Sequence, residues 1–200
     1  MKKKELSPLY SETFTTTVNG LPGGWHVEQN TDMPQVPAIA CGEHCVELLS
    51  AGNKFLPIIP DTADCQVDCK FKINYAAAEQ FGFMVCFRYD TTAGRGQYVR
   101  FLNPNNTNEL RVEYGTTALN YFMPEQTQII TADRVRFEQE MEFLLTVRDN
   151  TLKAKLFDHE LSFKICKGKG KIAFAREHFR DVLKITHLEI AGEEIGRAHV

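Results

Sequence analysis

The sequence predicts an all-β protein, built as a sandwich or a barrel, on three observations. Short runs that alternate apolar and other residues recur along the chain, separated by glycine, proline, asparagine and aspartate. No long segment repeats apolar residues with the 3.6-residue period of a helix. Residues 65–73 alternate in strict phase, with a thiol or an apolar side chain at every second position. We expect strands near residues 10–17, 24–29, 36–41, 44–50, 64–74, 80–90, 96–102, 108–115, 117–123, 127–131, 141–149, 151–157, 160–166, 170–176 and 181–190.

Two features organise the first third of the chain. Trp25 follows a glycine pair, and we expect it to close the sandwich as a large apolar anchor where the first strand meets the last. Pro57, Pro60 and Asp61 mark a loop, because proline and aspartate favour turns. The long alternating strand at 64–74 begins directly after this loop.

The next two strands, 81–90 and 96–102, are joined by a short turn that contains glycine, which is typical of a hairpin. The alternation predicts one aromatic face directed at the core, formed by Phe81, Phe83, Val85, Phe87, Tyr89, Val99 and Phe101. The same alternation predicts an opposite face that carries Met84, Cys86, Arg88, Tyr98 and Arg100. A sheet with this pattern packs on the core with one side and presents its other side to solvent or to a binding partner.

The later strands follow the same logic. Phe143, Leu145 and Val147 alternate with polar neighbours, and turns are expected at 149–150 and 158–159, which makes successive hairpins of 141–166. No internal repeat or low-complexity linker interrupts the chain. We therefore expect one domain over residues 1–193.

Composition narrows the function classes. The 200 residues are 43% hydrophobic and 24% charged, as in an ordinary globular domain. A net charge of −3 gives no electrostatic basis for binding nucleic acid or a membrane surface. The basic start of the chain lacks the apolar segment of a signal peptide, so we expect a cytoplasmic protein.

The last seven residues, EIGRAHV, resemble the translation of a widely used sequencing adapter. We therefore treat 194–200 as an artefactual tail and expect the natural protein to continue with a further domain.

The six cysteines are expected to be reduced thiols that serve as small core residues. Two pairs have a spacing of four, which on a strand separates the Cα atoms by about 13 Å, too far for a disulfide. A zinc site is disfavoured because the usual two-residue ligand spacing is absent. The histidines at 26, 44, 159, 178, 187 and 199 lack metal-site or nucleophile motifs and are expected at the surface or in turns.

Three segments together resemble a known family. They are 14–30 with its "F…LP-GW-V" pattern, 60–90 with its pair of long strands, and 170–193 with its closing "G-x-I-x-F" and "D-x-x-x-I-x-x-L-x-I" strands. Residues 10–192 thus resemble the concanavalin A-like lectin/glucanase superfamily, in particular its laminin G-like and 3-keto-glycoside hydrolase-like branch. The resemblance implies a two-sheet antiparallel jelly roll and a carbohydrate-related role, and it implies the fold more firmly than any activity.

Two sets of carboxylates are candidates for chemistry. Laminarinase-like members of this superfamily carry an E-x-D-x-E strand whose carboxylates cleave a glycosidic bond, and Glu138, Glu140 and Glu142 resemble that string with Glu in place of Asp. The chain has a single Trp, so the aromatic residues expected beside such a motif are missing. Asp61, Asp64 and Asp181 offer a calcium site of the kind found in some laminin G-like domains, although turn carboxylates are common without a metal. No other cofactor is expected.

The remaining candidate is the polar face of the central strands. By phase, its members are expected to leave the core together, and arginine and tyrosine suit the hydroxyl pairs, carboxylates and rings of a glycan. The same residues also occur on ordinary solvated strands. The set is Arg88, Tyr98, Arg100, Arg111, Glu113 and Arg148, with Arg95 on the connecting turn.

Three hypotheses for function follow. The first, which we favour, is a non-catalytic domain of a larger carbohydrate-active protein that binds an oligosaccharide or polysaccharide, or a partner domain, through this face. The second is a glycoside hydrolase that uses Glu138, Glu140 and Glu142. The third is a structural or protein-interaction domain with a filled outer face and an apolar patch elsewhere.

Overall fold

The structure, a computed structural model, describes residues 5–12, 14, 17–18, 21–22, 25–28, 39–42, 44–48, 53–74, 81–104, 107–119, 121–133, 136–137, 139–176 and 182–194. Its strands are β1 (Ser7–Glu12), β2 (Thr17–Val18), β3 (Leu21–Pro22), β4 (His26–Glu28), β5 (Ile39–Gly42), β6 (Cys45–Leu48), β7 (Lys54–Leu56), β8 (Thr62–Asn74), β9 (Phe81–Asp90), β10 (Arg95–Asn103), β11 (Glu109–Ala118), β12 (Tyr121–Thr131), β13 (Met141–Arg148), β14 (Thr151–Leu156), β15 (His159–Lys164), β16 (Lys171–Arg176) and β17 (Val182–Glu194). Within these residues, no helix is long and apolar enough to cross a bilayer.

The strands form two large antiparallel sheets, which confirms the predicted sandwich. The eight-stranded sheet has the order β15-β14-β13-β8-β17-β6-β5, with β1 also paired to β17. The seven-stranded sheet has the order β12-β11-β10-β9-β16-β7-β4, and β2 pairs with β3 separately. The long strands β8 and β9 lie inside their sheets, as expected for strands that are buried on one face and hydrogen-bonded along both edges.

An aromatic core joins the two sheets. The ring of Phe83 on β9 lies 4.8 Å from that of Phe71 on β8 and 5.6 Å from that of Phe143 on β13, and Phe101 stacks on Phe143 at 5.0 Å. Each such pair adds about 0.5–1.5 kcal/mol beyond the burial of apolar area. The predicted inner positions of β10 and β13 are confirmed because Val99 and these rings are buried.

Trp25 is a core residue, as predicted. It is 1% exposed, stacks on Phe174 of β16 at 5.9 Å, and donates its indole N–H to the Tyr10 hydroxyl on β1. Phe14 packs edge-on against it at 6.2 Å. Trp25 therefore links the first strand, which pairs with the last, to the opposite sheet.

Some boundaries differ from the prediction. The chain turns at Leu119, so β11 and β12 replace the three shorter strands expected between 108 and 131. Pro124, which was expected between strands, lies inside β12. This is permitted because β12 is an edge strand, where a missing N–H costs no ladder hydrogen bond. Glu194, assigned from the sequence to the tail, is the last residue of β17.

A β-bulge at Arg88 overturns one predicted face. Arg88 has φ of 50°, and the register of β9 against β10 shifts at this point. The extra residue reverses the alternation, so Tyr89 packs with the outer-face residues Met84 and Cys86 rather than in the core between the sheets. The Arg88 side chain therefore points towards the other sheet, where its Nε donates a hydrogen bond to the carbonyl oxygen of Ala63.

Candidate ligand-binding face

The outer face of the seven-stranded sheet has an apolar floor. Tyr98 lies at its centre and packs edge-on against Phe122 of β12, with ring centroids 5.2 Å apart. All members of the floor are at most 3% exposed, so they form a second small core and not an open groove. They are Leu56, Met84, Cys86, Tyr89, Tyr98, Ala173 and Ala175.

Two strand glycines let this floor pack closely. A Cβ on Gly96 would lie 2.8 Å from the Cα of Tyr89, and a Cβ on Gly115 would lie 2.2 Å from the carbonyl oxygen of Met123. The absence of a side chain at both positions therefore allows the neighbouring backbone and the Tyr89 ring to approach the sheet.

One end of the floor carries a buried polar cluster that sequence reasoning missed. The Tyr89 hydroxyl donates to Glu28 of β4, and the Lys54 ammonium lies 5.2 Å from the centre of the Tyr89 ring. Burial, reinforced by the hydrogen bond to Glu28, raises the pKa of Tyr89, so its hydroxyl remains protonated. The sequence does contain a signal for this cluster, Gly96, since a glycine inside a strand often marks a close approach by another group.

Lys54 of this cluster also reaches the β11–β12 turn. It lies on β7, four strands from β11, and its ammonium donates to the carbonyl of Leu119, directly after β11, at 3.0 Å. The Lys54 side chain therefore lies over the part of the apolar floor that contains Tyr89.

The other end of the face holds the polar residues predicted from the sequence. Arg100 on β10 lies opposite Glu113 on β11, and both Nε, at 2.9 Å, and Nη2 of Arg100 donate to Glu113 Oε2. Exposed Arg111 lies two residues from Glu113 on the same strand, and exposed Ile129 of β12 is its cross-strand neighbour. The structure thus brings together Arg100, Arg111 and Glu113 on the same face of the sheet as the buried Tyr98.

Arg88, Arg95 and Arg148 are not part of this group. Arg88 is buried and donates to the carbonyls of Ala63, Asp149 and Cys166, so its predicted position on the ligand-facing side is wrong. The bulge that reverses the phase of β9 is the cause. Arg148 lies on β13 of the other sheet, 3.9 Å from Asp64. Arg95 is exposed where β10 begins, at the far end of the strand from Arg100.

Of the candidate catalytic carboxylates, Glu140 and Glu142 line one depression on the outer side of the eight-stranded sheet. Glu138 and Asp181 lie outside the described residues. Glu140 precedes β13 and accepts a hydrogen bond from Thr186 at 2.7 Å, while Glu142 lies on the outer side of β13 with Lys70 at 4.0 Å.

The two described members of the suggested calcium set have other partners. Asp61 pairs with Lys171 at 3.0 Å, and Asp64 pairs with Arg88 at 3.5 Å. Each carboxylate is therefore neutralised by a cation of the protein itself.

Five cysteines whose side chains the structure describes are free thiols, and Cys65, Cys69 and Cys86 are buried as expected for small core residues. The expected core position is wrong for Cys166, which is exposed, whereas Cys45 is half-buried. Burial raises the pKa of Cys65 and of Cys86 to about 12, so both are inert, neutral core residues.

Comparison with known proteins gives structural similarity alone. No protein-family model and no curated protein matches the sequence. A Bacillus licheniformis β-glucanase is similar with a TM-score of 0.66 at 9% identity, covering 94% of this chain and 99% of that one. The CBM2 module of the evolved Dit of Lactobacillus casei BL23 phage J-1 is similar with a TM-score of 0.61 at 12% identity, covering 98% and 100%. The exoplasmic/lumenal domain of VIP36, in its Ca²⁺/Man2-bound form, is similar with a TM-score of 0.59 at 11% identity, covering 97% and 92%. At these identities the likeness concerns the backbone, and it shows that this chain has the concanavalin A-like jelly-roll fold.

Proposed function

We propose that this chain is a non-catalytic carbohydrate-binding domain that contacts a glycan through Arg100, Arg111 and Glu113. The observation that carries the proposal is the Arg100–Glu113 pair, which lies beside exposed Arg111 and Ile129 on the outer face of the seven-stranded sheet. Glycan sites combine an apolar surface for the C–H side of the sugar with a few fixed polar groups for its hydroxyls. At this end of the face, exposed Ile129 supplies an apolar surface, and the polar groups are those of Arg100, Arg111 and Glu113.

The pair is held in place before any ligand arrives. Two donors of Arg100 converge on Glu113 Oε2, and the two side chains are 16% and 10% exposed. Among the described residues, Glu113 Oε1 takes no hydrogen bond and is available to accept one from a sugar hydroxyl. Little side-chain freedom is then lost on binding, which favours affinity.

Arg111 favours acidic glycans among the possible sugar ligands. Its guanidinium is exposed beside Glu113, and exposed Ile129 provides an apolar neighbour. A planar guanidinium binds a carboxylate or a vicinal hydroxyl pair through two hydrogen bonds. Glycans that carry uronate or other acidic groups are therefore the expected ligands. Solved structures of similar fold include a carbohydrate binding module, CBM66 of Bacillus subtilis, which supports a sugar as the ligand class.

A glycan array tests the proposal with the wild-type chain and three variants. Arg100→Ala and Arg111→Ala each remove a charged donor that is worth about 1.5–3 kcal/mol, so we expect at least tenfold weaker binding. Arg148→Ala, the same change on the opposite sheet, is the matched control and is expected to bind like the wild type. Absence of binding by the folded wild type, or equal loss in Arg148→Ala, would contradict the proposal.

One observation favours glycoside cleavage as a second candidate. Glu140, Glu142 and Asp68 line a pocket of about 370 Å³ on the outer side of the eight-stranded sheet. Hydrolysis needs two carboxylates on either side of the scissile bond. Release of reducing ends from an oligosaccharide library, abolished in Glu142→Gln but retained in Arg100→Ala, would favour this function over simple binding.

Another observation favours a protein-interaction domain. The β11–β12 hairpin carries four exposed large apolar side chains, those of Leu119, Tyr121, Met123 and Ile129. Exposed apolar residues grouped on one element are typical of contact surfaces. A negative array together with self-association that Tyr121→Ser reduces, measured by sedimentation velocity, would favour this third function.

A further inference from the structure

Three potential metal ligands lie together on the outer face of the eight-stranded sheet. Asp68 on β8 is the cross-strand partner of Glu189 on β17, and His187 is the partner of Lys70. Side chains at these positions point away from the core, because the residues that alternate with them, Cys69 and Leu188, are buried.

A β-bulge brings His187 to this face. The register of β17 against β8 shifts between Ile185 and His187, so Thr186 is an extra residue. Ile185 and Leu188 both face the core, and the two residues between them are therefore directed outwards. His187 and Glu189 consequently lie on the same side of the strand, with Asp68 across from them.

The distances suit a single ion. One ligand atom from each of Asp68, His187 and Glu189 lies within 4.8 Å of the others, and His187 Nε2 is 3.9 Å from Glu189 Oε1. Atoms bound to one ion at about 2.0–2.2 Å can be at most about 4.3 Å apart. Small rotations of the side chains, of which Glu189 is the most exposed, would bring all three to such distances.

The carboxylates of this cluster include an unsatisfied oxygen and face each other across the two strands. Asp68 Oδ1 is fully buried and accepts no hydrogen bond among the described residues. The residue directly opposite Asp68 is a second carboxylate, Glu189. Like charges at opposed strand positions are destabilising. The nearby Lys70 is paired with Glu142 at 4.0 Å. A bound cation would satisfy the orphan oxygen and remove the repulsion at the same time.

We propose that Asp68, His187 and Glu189 bind a divalent first-row transition-metal ion, with Zn²⁺ as the expected ion. The imidazole nitrogen favours zinc-like metals over calcium and magnesium, which prefer all-oxygen sites. Three protein ligands leave a position for a water or for an oxygen of an added ligand. Two depressions that share Asp68, of about 370 and 300 Å³, give access to such a position. This site is independent of the proposed glycan face, which belongs to the other sheet.

The test is calorimetric titration of the tag-free full chain with ZnCl₂ after treatment with a chelator. We expect one ion per chain and at least about tenfold weaker binding in His187→Ala, Asp68→Asn and Glu189→Gln, since even the outer partners of metal ligands alter affinity by 10–100-fold. His159→Ala is the matched control, because His159 is an exposed histidine on β15, and it is expected to bind like the wild type. Co²⁺ added in place of Zn²⁺ should give a ligand-field absorption spectrum that His187→Ala changes.

Several outcomes would overturn the assignment. They are the absence of saturable Zn²⁺ binding by the folded wild type, binding that the three ligand variants leave unchanged, and tighter binding of Ca²⁺ than of Zn²⁺. Circular dichroism of each variant establishes that it is folded. His187→Ala alters a partly exposed side chain, so the test stands even if Asp68→Asn does not fold.

Discussion

Arg88→Met is expected to destabilise this protein more than any other single arginine substitution discussed above. The Arg88 side chain is 3% exposed and spans the two sheets from the β9 bulge. Its Nε donates to Ala63 O and its Nη2 to Asp149 O, each at 2.8 Å, its Nη1 donates to Cys166 O, and it pairs with Asp64 at 3.5 Å. Methionine has similar length and no donors, so three carbonyls lose their charged donor and Asp64 loses the nearer of its cations, while Arg148 remains at 3.9 Å.

The magnitude follows from the burial of this group. Removing one partner of a buried, hydrogen-bonded ion pair costs about 3–5 kcal/mol, which is a large part of the roughly 5–15 kcal/mol that stabilises a typical domain. Arg148→Met is the matched control: Arg148 pairs with the same Asp64 at 3.9 Å, but its side chain is 34% exposed. An exposed pair of this kind contributes about 0–1 kcal/mol.

Urea unfolding measures the difference, with fluorescence of the single, buried Trp25 as the signal. Arg88→Met should lower the free energy of unfolding by about 3–5 kcal/mol with an unchanged dependence on urea concentration. A loss below about 1 kcal/mol, or one equal to that of Arg148→Met, would refute the reasoning.

Two further predictions concern buried thiols and a close contact. Burial raises the pKa of Cys65 and of Cys86 from 9.0 to about 12 and that of Cys69 well above 9.0, so above pH 9 the unfolded chain loses protons that the folded chain retains. Each thiol then lowers the free energy of unfolding by about 1.4 kcal/mol per pH unit. Cys86→Ala should therefore remove about a third of the combined slope of the three thiols, measured by urea unfolding between pH 9 and 10.5. An unchanged slope would contradict the burial argument. Gly115→Ala should cost about 1–3 kcal/mol, because its Cβ would lie 2.2 Å from Met123 O. Gly168→Ala, whose nearest neighbour would be 3.6 Å away, should be nearly neutral in the same thermal melts, and equal melting temperatures for the two variants would contradict the prediction.

Much of the fold could be predicted from alternation, because a period of two identifies strands and their buried side. Phe83, Phe101 and Phe143 were assigned to the core on this basis, and they meet there. The bulges at Arg88 and Thr186 could not be predicted in this way. An inserted residue leaves composition and local pattern almost unchanged, yet it exchanges the two faces for every later residue of the strand.

The candidate site was predictable only in part, for a related reason. Alternation tells whether a side chain leaves the core, but not which of two sheets carries it. Arg100 and Arg148 both point outwards, and the structure places them on opposite sheets. The H-x-E spacing of His187 and Glu189 is too short a pattern to predict a metal site by itself, and the third ligand, Asp68, is supplied by a strand more than a hundred residues earlier.

The separation of the two proposed sites makes them independently testable. Glu113 and Arg100 lie on the outer side of one sheet, whereas Asp68 and His187 lie on the outer side of the other, with the aromatic core between them. Substitutions that far apart, without shared partners, usually act additively. Arg100→Ala should therefore leave Zn²⁺ binding unchanged, and His187→Ala should leave glycan binding unchanged. Loss of both activities in either variant would indicate a general effect on folding and would remove the support that each result gives to its own site.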